Sequence, residues 1–550
     1  MGKSLVSEII QRGKEFPNKP AFVFLGDNSR RTVLTFGDVS YLSQKFAAVL
    51  HNKGIGEGDV VCNTLDHSPE RLITQLGTIM AGAVFFNGQI ILTDGSDFLR
   101  SMNDGRAKAV IYNLKDPRGA YGVLKGRVEK TTGTDKIACA DVPTLDTIIS
   151  CVLESNKGID QPLLDELREE SGTLCVDRGP ASVVAYMCTS GSTGAFKLVP
   201  FNSEFLFETF QDFIRLLDIS KNSIYLNDKP FGWIAGFPGI VLFQGCTRVT
   251  IEDTVPRDEA YPQFYTEAMR AEKCTCSLVT PSLLYHLIEI TNTSLNTKEC
   301  PLKHVGVVGA PVTKMALQAI GPLTECLVIL YGSSETALAA AMSISSCDVD
   351  EYEDFLCGWP LRDTQFKIVN SEMTEVPVGQ TGEILFKKSL TYTGYVNNEQ
   401  ATNDTFLPGG WIRLGDRGYI NSKGQITVLG RGAHAIIFGD DVVYPDQLES
   451  PILQCPGLAE VLITGVPDPN KFEEMCALLV RQPGAGEELD EADVRRFCQE
   501  SLFIKPENPE FNPVPKYFRF VQQIPKSNNG KVDRSAAKRM AVELVGKVKP

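Results

Sequence analysis

A chain of 550 residues exceeds what one hydrophobic core normally organises, so we expect two or more domains. Hydrophobic residues make up 43% of the sequence and charged residues 22%, which is typical of a globular protein and excludes a disordered or repetitive chain. The net charge of −14 argues against nucleic acid as a main partner, because phosphate backbones recruit surfaces rich in Lys and Arg.

The cysteine pattern bears on the compartment in which the chain folds. Fifteen cysteines occur singly, and the closest pair, Cys274 and Cys276, has no second Cys or His pair of the kind that zinc sites use. We therefore expect free thiols in a reducing compartment. No run of about 18 apolar residues is present, so no membrane span is predicted. Residues 1–6 differ from a secretory signal and residues 547–550 from a peroxisomal address, which makes the cytoplasm the expected location.

Helix and strand patterns alternate through roughly the first 430 residues. Helical spacing of apolar residues predicts helices at 4–11 and 40–50, and short apolar or β-branched runs predict strands at 60–64, 183–187, 305–308 and 326–330. The last three strands run into loops rich in Gly, Ser or Thr. This alternation predicts a large α/β domain with mostly buried strands, in which ligands usually lie beyond the carboxyl ends of the strands.

The rest of the chain predicts two further parts. Residues 365–427 contain several short strand patterns and turn residues, which indicate a β-rich subdomain. Beyond it, strand patterns at 458–465 and 475–481 and a charged helix at 490–502 indicate a small α/β domain. We therefore expect a large N-terminal domain at 1–429, a flexible glycine-flanked hinge at 430–433, and a small, mobile C-terminal domain at 434–550.

A predicted strand that ends near Met187 is followed by small hydroxylated residues and glycines, closed by a lysine. Glycines let backbone N–H groups approach phosphate oxygens, hydroxyls add donors, and the lysine adds positive charge. The spacing differs from that of the P-loop of NTPases, and a plain polar loop between strand and helix is the structural alternative. The predicted phosphate-binding residues are Thr189, Ser190, Gly191, Ser192, Thr193, Gly194 and Lys197.

Two further runs place a carboxylate among turn residues. Tyr331, Gly332, Ser333, Ser334, Glu335 and Thr336 follow the apolar strand at 326–330. A carboxylate beside hydroxyls at a strand end suits a Mg²⁺ ion held between protein and phosphates, although a single turn Glu is more often solvated. Asp416 lies between glycine-containing turns, and an ionised Asp accepts two hydrogen bonds, which matches a ribose diol.

Together these runs resemble the adenylate-forming superfamily, which includes acyl-CoA synthetases, aryl-CoA ligases, firefly-type luciferases and peptide-synthetase adenylation domains. The resemblance covers essentially the whole chain, with the motifs in the family's order. It is carried by the residues at 189–197, 331–336, 411–419, 430–431 and 525–534.

The resemblance implies an enzyme that uses ATP to convert a carboxylic acid into acyl-AMP and pyrophosphate, and then transfers the acyl group to coenzyme A. It implies that the small domain moves about the hinge between the two steps. The implied cofactors are ATP, Mg²⁺ and coenzyme A. The implied site residues are Gly309, Ala310, Pro311 and Tyr331 at adenine, Glu335 at Mg²⁺, Asp416 at ribose, and Trp233 and Phe237 at the acyl site. The implied catalytic groups are Thr336 at the α-phosphate, Arg431 at ribose and phosphate, and Lys531 between the acid and the α-phosphate.

Several residues depart from the family pattern. Phe196 and Leu198 replace a Pro and a Gly of the phosphate loop, and Ser203 stands where many relatives carry His. Ala433 replaces a polar hinge residue, and Asp440 replaces a glycine that lets the backbone approach the thiol arm of coenzyme A. A carboxylate there adds bulk and repels phosphates. We therefore expect these hinge departures to affect thioester formation and to leave the adenylation step intact.

Three functions therefore stand beside one another. The first is an acid–CoA ligase, with a place in fatty acid metabolism if Trp233 shortens the acyl pocket for a short or medium chain. The second is an adenylating enzyme with another acceptor, such as an amine, a carrier thiol or oxygen. The third is an inactive acyl- or nucleotide-binding relative, against which the retention of the motif residues argues: Lys197, Glu335, Thr336, Asp416, Arg431 and Lys531.

Overall fold

The computed structural model describes the chain in segments that form two compact units. The described residues are 3–88, 95–114, 119–131, 136–151, 163–170, 172–190, 196–258, 260–293, 302–309, 312, 314–317, 320–345, 348–349, 352–389, 392, 394–438, 441–468, 472–482, 489–502, 514–526 and 532–546. The large unit comprises Met1–Glu353, Cys357–Gln365 and Phe386–Ile412, and the small unit comprises Asp354–Leu356, Phe366–Leu385 and Arg413–Pro550.

Helices occur in both units. In chain order they are α1 (Leu5–Glu15), α2 (Phe36–Asn52), α3 (Pro69–Met80), α4 (Ser96–Asp104), α5 (Ala120–Leu124), α6 (Leu163–Glu169), α7 (Ser203–Leu216), α8 (Gly239–Gln244), α9 (Tyr261–Ala271), α10 (Pro281–Thr293), α11 (Lys314–Leu317), α12 (Glu399–Thr405), α13 (Asp446–Leu453), α14 (Glu491–Ser501) and α15 (Arg534–Gly546). None of the helices among the described residues combines the length and apolar composition that a membrane crossing requires.

The strands alternate with these helices through the large unit and cluster after residue 320. In chain order they are β1 (Pro20–Leu25), β2 (Arg31–Thr35), β3 (Val60–Asn63), β4 (Val84–Asn87), β5 (Ala107–Asn113), β6 (Val128–Lys130), β7 (Ile137–Cys139), β8 (Thr147–Cys151), β9 (Val183–Ser190), β10 (Phe196–Asn202), β11 (Ile224–Leu226), β12 (Thr247–Ile251), β13 (Cys276–Val279), β14 (Leu302–Val308), β15 (Thr324–Ser333), β16 (Ala337–Ser345), β17 (Leu356–Pro360), β18 (Thr364–Val369), β19 (Gly382–Lys388), β20 (Phe406–Leu407), β21 (Trp411–Ile420), β22 (Ile426–Arg431), β23 (Ile436–Phe438), β24 (Asp441–Val443), β25 (Leu458–Asp468), β26 (Phe472–Arg481) and β27 (Tyr517–Phe520).

The large unit contains two mainly parallel sheets. In the first, strands run in the order β2-β1-β12-β11-β13-β14-β15-β16, with parallel pairing from β1 to β15 and an antiparallel strand at each end of this series. In the second, the order is β10-β9-β4-β3-β5-β8, and β10 is antiparallel to β9. Most residues of the central parallel strands are buried, as in other parallel sheets. The mixed α/β fold class predicted from the sequence is confirmed.

The small unit has two apolar clusters, one on each face of the strand pair β25 and β26. Strands β25 and β26 pair antiparallel, and their side chains alternate between the faces. Ile463 joins the cluster beneath α13 and α14, whereas its neighbour Leu462 joins the cluster beneath α15. The strands and the charged helix predicted at 458–502 are present, so the small C-terminal α/β domain is confirmed. The predicted domain boundaries at 429–434 stay a prediction.

Candidate active site

Glu335 lies in a tight turn between the antiparallel strands β15 and β16. The Ser333 hydroxyl accepts hydrogen bonds from the backbone N–H groups of Glu335 at 3.1 Å and Thr336 at 3.2 Å. Gly332 is required beside this turn, because a Cβ there would lie 1.8 Å from the carbonyl oxygen of Ala337. The conformation of the turn therefore fixes the backbone position from which the Glu335 side chain extends.

Thr336 is enclosed by the same turn. Its hydroxyl lies 3.1 Å from Ser333 Oγ and donates a hydrogen bond to the carbonyl oxygen of Ala337 at 3.2 Å. The side chain is buried, with 1% of the residue exposed. The predicted contact with an α-phosphate would have to replace one of these bonds, and it stays a prediction.

Two tyrosines that the sequence motifs do not include hold this turn from another segment. The Tyr395 hydroxyl donates to Glu335 Oε1 at 2.6 Å, and the Tyr392 hydroxyl donates to the carbonyl oxygen of Ser334 at 2.8 Å. Glu335 and Tyr395 are both buried. An O–H···O bond of 2.6 Å falls in the range of charge-assisted hydrogen bonds, so the phenol sets the orientation of the carboxylate.

The predicted phosphate loop connects two antiparallel strands. Thr189 near the end of β9 pairs with Lys197 near the start of β10, and Ser190 pairs with Phe196. The Lys197 ammonium lies 5.0 Å from the centroid of the Tyr395 ring, within the range of a cation–π contact. One tyrosine therefore contacts both the loop lysine and Glu335. The predicted loop residues that lie outside the described residues are Gly191, Ser192, Thr193 and Gly194.

The predicted adenine-side residues follow two neighbouring parallel strands. Val308 at the end of β14 pairs in register with Leu330 of β15, so Gly309 and Tyr331 come next at the same edge of the sheet. Gly309 has a φ of +102°, which favours glycine. The Tyr331 ring packs against the ring of Phe386, with centroids 5.7 Å apart. The partners predicted from sequence, Ala310 and Pro311, lie outside the described residues.

Lys388 is a buried cation close to the turn that the sequence motifs do not include. Its ammonium donates to the carbonyl oxygens of Thr336 at 3.3 Å and Leu338 at 2.9 Å. Burial lowers the pKa of Lys388 below its ordinary value. Its side chain extends from the end of β19 to the start of β16, a contact that no local sequence pattern predicts.

The predicted acyl-site residues lie in the loop between β11 and α8. Phe237 is 2% exposed and stacks on Phe210 with ring centroids 5.9 Å apart, so it belongs to the core. Trp233 is half-buried in the same loop, and its carbonyl oxygen accepts the backbone N–H of Phe237 at 2.7 Å. Their predicted contact with an acid stays a prediction.

Arg248 supports this loop from within the sheet. Its guanidinium is fully buried, donates to the carbonyl oxygens of Asn227 at 3.0 Å and Lys229 at 2.7 Å, and also donates to the carbonyl oxygen of Gly236. The guanidinium carbon lies 4.7 Å from the ring centroid of Phe231. Because one rigid cation binds three carbonyl groups, the loop that carries Trp233 has little freedom to rearrange.

In the small unit, Asp416 and Arg431 are register partners on the antiparallel strands β21 and β22. Arg431 Nε lies 3.3 Å from Asp416 Oδ1, and Asp416 is buried whereas Arg431 is exposed. Strand β22 continues through the predicted hinge residues Gly430 and Arg431. The structure therefore brings together the two residues that were predicted to reach the ribose.

Lys531 lies outside the described residues, and its flanking residues are held on both sides. Lys526 and Val532 form an isolated antiparallel bridge, and the N–H of Asp533 donates to the carbonyl oxygen of Pro525 at 2.8 Å. These bonds hold together the described residues on either side of the predicted catalytic lysine. Asp440 also lies outside the described residues, as does the side chain of Ala433.

Arg534 anchors this segment to α13 through half-buried ion pairs. Its guanidinium lies 2.7 Å from Asp446 Oδ1 and 2.8 Å from Glu449 Oε2. Burial raises the pKa of Glu449 to about 7, although the Arg534 charge opposes that shift. Burial and the charges of Arg534 and Arg431 lower the pKa of His434 to about 4, so its ring is neutral near pH 7.

The donor set suits a cation carried by a nucleotide better than an all-protein metal site. Among the residues that the structure describes, no three His, Cys, Asp or Glu side chains are grouped to hold a metal ion. Mg²⁺ in nucleotide enzymes is bound by one or two carboxylates together with phosphate oxygens. Glu335 supplies one such carboxylate, with its orientation set by Tyr395, and the residues present therefore fit Mg²⁺.

Three known proteins are similar to this chain. YdaB of Bacillus subtilis (strain 168) is 36% identical over 214 residues, which are 38% of this chain and 40% of that protein. The 2-succinylbenzoate–CoA ligase of Listeria monocytogenes serotype 4b (strain F2365) is 26% identical over 463 residues, which are 84% of this chain and 91% of that protein. The crystal structure of the anthranilate CoA ligase AuaEII in complex with anthranoyl-AMP has the same fold, with a TM-score of 0.80, 18% identity, and coverage of 100% of this chain and 98% of that one.

Two family matches account for most of the sequence. The AMP-binding enzyme family matches residues 10–396, and the AMP-binding enzyme C-terminal domain matches residues 447–531. The first match alone spans well over half of the 550 residues and contains both the predicted phosphate loop and the Glu335 turn. The second match ends at the predicted catalytic lysine. The resemblance inferred from the motifs is confirmed, and the chain belongs to the AMP-binding enzyme family.

Proposed function

We propose that the chain is an AMP-forming acid–CoA ligase. It converts a carboxylic acid and ATP into acyl-AMP and pyrophosphate, and then transfers the acyl group to the thiol of coenzyme A. The observation that carries the proposal is the meeting of Lys197 and Glu335 at one buried tyrosine, Tyr395, in a member of the AMP-binding enzyme family. A cation for phosphate oxygens and a carboxylate for Mg²⁺ are the two charges that ATP requires of its site.

The nucleotide is bound by residues with separate tasks. Lys197 and the phosphate loop bind the phosphates, and Tyr331 with the segment after Gly309 lies against adenine. Asp416 accepts hydrogen bonds from the ribose hydroxyls, where Arg431 is its register partner. Mg²⁺ bound with the nucleotide at Glu335 would offset the negative charge of the phosphate oxygens.

In the first step, a carboxylate oxygen of the acid attacks the α-phosphorus of ATP. The bond from that phosphorus to the bridging oxygen of pyrophosphate breaks, and no proton has to move. Because both reactants are anions, the protein's task is to align them and to stabilise the negative charge that develops on the phosphoryl oxygens. The Lys531 ammonium donates to the acid and the α-phosphate together, and the Thr336 hydroxyl donates to the α-phosphate in place of its bond to Ala337.

In the second step, the thiolate sulfur of coenzyme A attacks the carbonyl carbon of acyl-AMP. The bond between that carbon and the AMP oxygen breaks, so AMP leaves with one oxygen that came from the acid. The proton of the thiol is released to solvent or to a base. Lys531 acts in the first step only. In the second step the acid is already joined to AMP, so no free carboxylate has to be held beside the α-phosphate.

The acid is proposed to be compact. Two of the similar proteins are named as ligases of aromatic acids, 2-succinylbenzoate and anthranilate. The half-buried Trp233 ring lies in a loop that Arg248 fixes from within, so it cannot easily make room for a long chain. An aryl or short acyl carboxylate therefore fits this chain better than a long fatty acid.

The test is product stoichiometry with a panel of aryl, short-chain, long-chain and amino acids, with ATP, Mg²⁺ and coenzyme A. We expect AMP, pyrophosphate and acyl-CoA in equal amounts for at least one compact acid. ATP–pyrophosphate exchange should persist when coenzyme A is omitted. Formation of ADP, or no acid-dependent release of pyrophosphate with any acid, would contradict the proposal.

A second candidate is adenylation with an acceptor other than coenzyme A, which the sequence itself favours at two positions. Asp440 places a carboxylate where related enzymes have glycine, and Ala433 lacks the polar group of the usual hinge. Acid-dependent exchange without any acyl-CoA product would select this candidate. In that case Asp440→Gly should restore acyl-CoA formation if the carboxylate alone excludes the thiol arm.

A further inference from the structure

Tyr395 makes two contacts that belong to different motifs. Its hydroxyl donates to Glu335 Oε1 at 2.6 Å, and its ring lies beneath the Lys197 ammonium at 5.0 Å. The phosphate loop belongs to one sheet and the Glu335 turn to the other. Tyr395 therefore contacts both the Lys197 ammonium and the Glu335 carboxylate, which lie on different sheets.

Tyr395 is itself held firmly. Its backbone N–H donates to Thr402 Oγ1 at 2.9 Å, and the Thr402 hydroxyl donates to the carbonyl oxygen of Asn398 at 2.7 Å. Its ring packs edge to face on Phe406, with centroids 5.5 Å apart and an interplanar angle of 73°. Gly394 allows this close packing, because a Cβ there would lie 2.5 Å from Thr402 Cγ2. Because these contacts hold Tyr395 in one position, its side chain can orient the groups that it contacts.

We propose that Tyr395 is a positioning residue for adenylation, which orients the Glu335 carboxylate through its hydroxyl and the Lys197 ammonium through its ring. The inference rests on the proposed function, and it adds a residue that the sequence motifs do not contain. Charges that are already oriented cost no reorganisation when the reaction occurs, which is the basis of electrostatic preorganisation. A neutral phenol provides that orientation without cancelling either charge.

Tyr392 supplies a matched comparison from the same segment. It also donates to the turn, but to the backbone carbonyl of Ser334, and its ring packs on Phe201 and Phe205 with centroids 5.2 and 4.7 Å away. Loss of the Tyr392 hydroxyl removes one part-buried hydrogen bond from the hairpin. It leaves the described contacts of Tyr395 with Glu335 and Lys197 in place.

The experiment compares Tyr395→Phe, Tyr395→Leu and Tyr392→Phe with the wild type. Binding of Mn²⁺ in the presence of ATP is measured from the loss of the free Mn²⁺ EPR signal, and the Mg²⁺ dependence of ATP–pyrophosphate exchange is measured in parallel. We expect Tyr395→Phe to weaken Mn²⁺ binding and to raise the half-saturating Mg²⁺ concentration by about 10-fold, the usual effect of losing a group that orients a metal ligand. Tyr395→Leu should also raise the KM for ATP, because Lys197 loses its ring contact.

Tyr392→Phe should keep the wild-type Mn²⁺ affinity, even if its unfolding midpoint in denaturant decreases. Wild-type Mn²⁺ affinity in Tyr395→Phe would overturn the inference. An equal loss in Tyr395→Phe and Tyr392→Phe would also overturn it, because it would show only a general weakening of the hairpin. Absence of acid-dependent exchange in the wild type would instead refute the proposed function, while the Mn²⁺ measurement would still decide the role of Tyr395.

Discussion

At the scale of single residues, the site combines charged groups with neutral groups that orient them. Tyr395 bonds the Glu335 carboxylate with a hydroxyl and contacts the Lys197 ammonium with a ring face. A phenol fixes direction without neutralising a carboxylate, whereas a directly paired cation would compete with Mg²⁺ for it.

The proposed role of Lys531 gives a prediction at this scale. Lys531→Ala should lower acid-dependent ATP–pyrophosphate exchange by about 10²–10³, the usual loss when one group that stabilises developing charge is removed. Conversion of chemically prepared acyl-AMP to acyl-CoA should be affected far less, because that step does not join two anions at phosphorus. Both half-reactions are measured separately.

Lys526→Ala is the matched control. Lys526 lies at the base of the same loop, and its ammonium pairs with Glu460 at 2.8 Å on an exposed surface. Exposed pairs of this kind contribute little, so exchange should stay near the wild-type rate. Equal losses in Lys526→Ala and Lys531→Ala would show that the loop, and not the Lys531 ammonium, is what matters.

At the scale of elements, two antiparallel hairpins carry the motifs predicted to bind phosphate and Mg²⁺. Sequence patterns predicted the strands that enter them, because β9 and β15 contain apolar runs and end at Ser. They did not predict that β9 continues into an antiparallel partner, since a short apolar run contains no signal for the identity or direction of its neighbour. Sequence analysis predicted the candidate site residues that lie next to one another along the chain.

The same reason explains the residues that sequence did not predict. Tyr395 and Lys388 reach the turn from segments about 50 to 60 positions further along the chain, at sequence separations of 60 for the bond to Glu335 and 50 for the bond to Leu338. A single Tyr or Lys has no periodicity or spacing that would identify it as part of the candidate site. Asp416 and Arg431 were predicted separately, and the register of β21 with β22 placed them together.

Gly430 gives a prediction at the scale of a strand. Its φ is +144°, outside the region that other residues adopt, and an added Cβ would lie 2.8 Å from Asp446 Oδ2. Gly430→Ala should therefore lower the free energy of unfolding by about 2–3 kcal/mol. Gly424→Ala is the control: its φ of +77° is also positive, but no described atom lies within 4 Å, so about 1 kcal/mol is expected. Denaturant titration measures both, and equal losses would refute the argument from Asp446.

At the scale of the whole molecule, the predicted site residues are divided between the two compact units. The large unit supports the Lys197–Tyr395–Glu335 contacts, and the small unit supports Asp416, Arg431 and the base of the Lys531 loop. In the small unit the anchor is an Arg534 guanidinium between two carboxylates. Burying ionisable groups in this way makes stability depend on pH.

Glu449 gives the corresponding prediction. Burial raises its pKa from 4.5 to about 7, so the folded state binds the proton more tightly than the unfolded state. Its stabilising contribution is full below the unfolded pKa and is lost as the pH rises through about 7. Between about pH 5 and pH 8, the free energy of unfolding should therefore fall by on the order of 2 kcal/mol more in the wild type than in Glu449→Gln. Parallel pH profiles of the two proteins, measured by urea unfolding, would contradict this.

The central claim is that an acid oxygen attacks the α-phosphorus of ATP. The direct measurement uses a substrate acid labelled with ¹⁸O in both carboxylate positions, followed by mass spectrometry of the nucleotide product after turnover with coenzyme A. The mechanism predicts AMP that carries one ¹⁸O atom, because the oxygen that joined the phosphorus leaves with it. Unlabelled AMP, or ADP together with ¹⁸O in inorganic phosphate, would contradict the account.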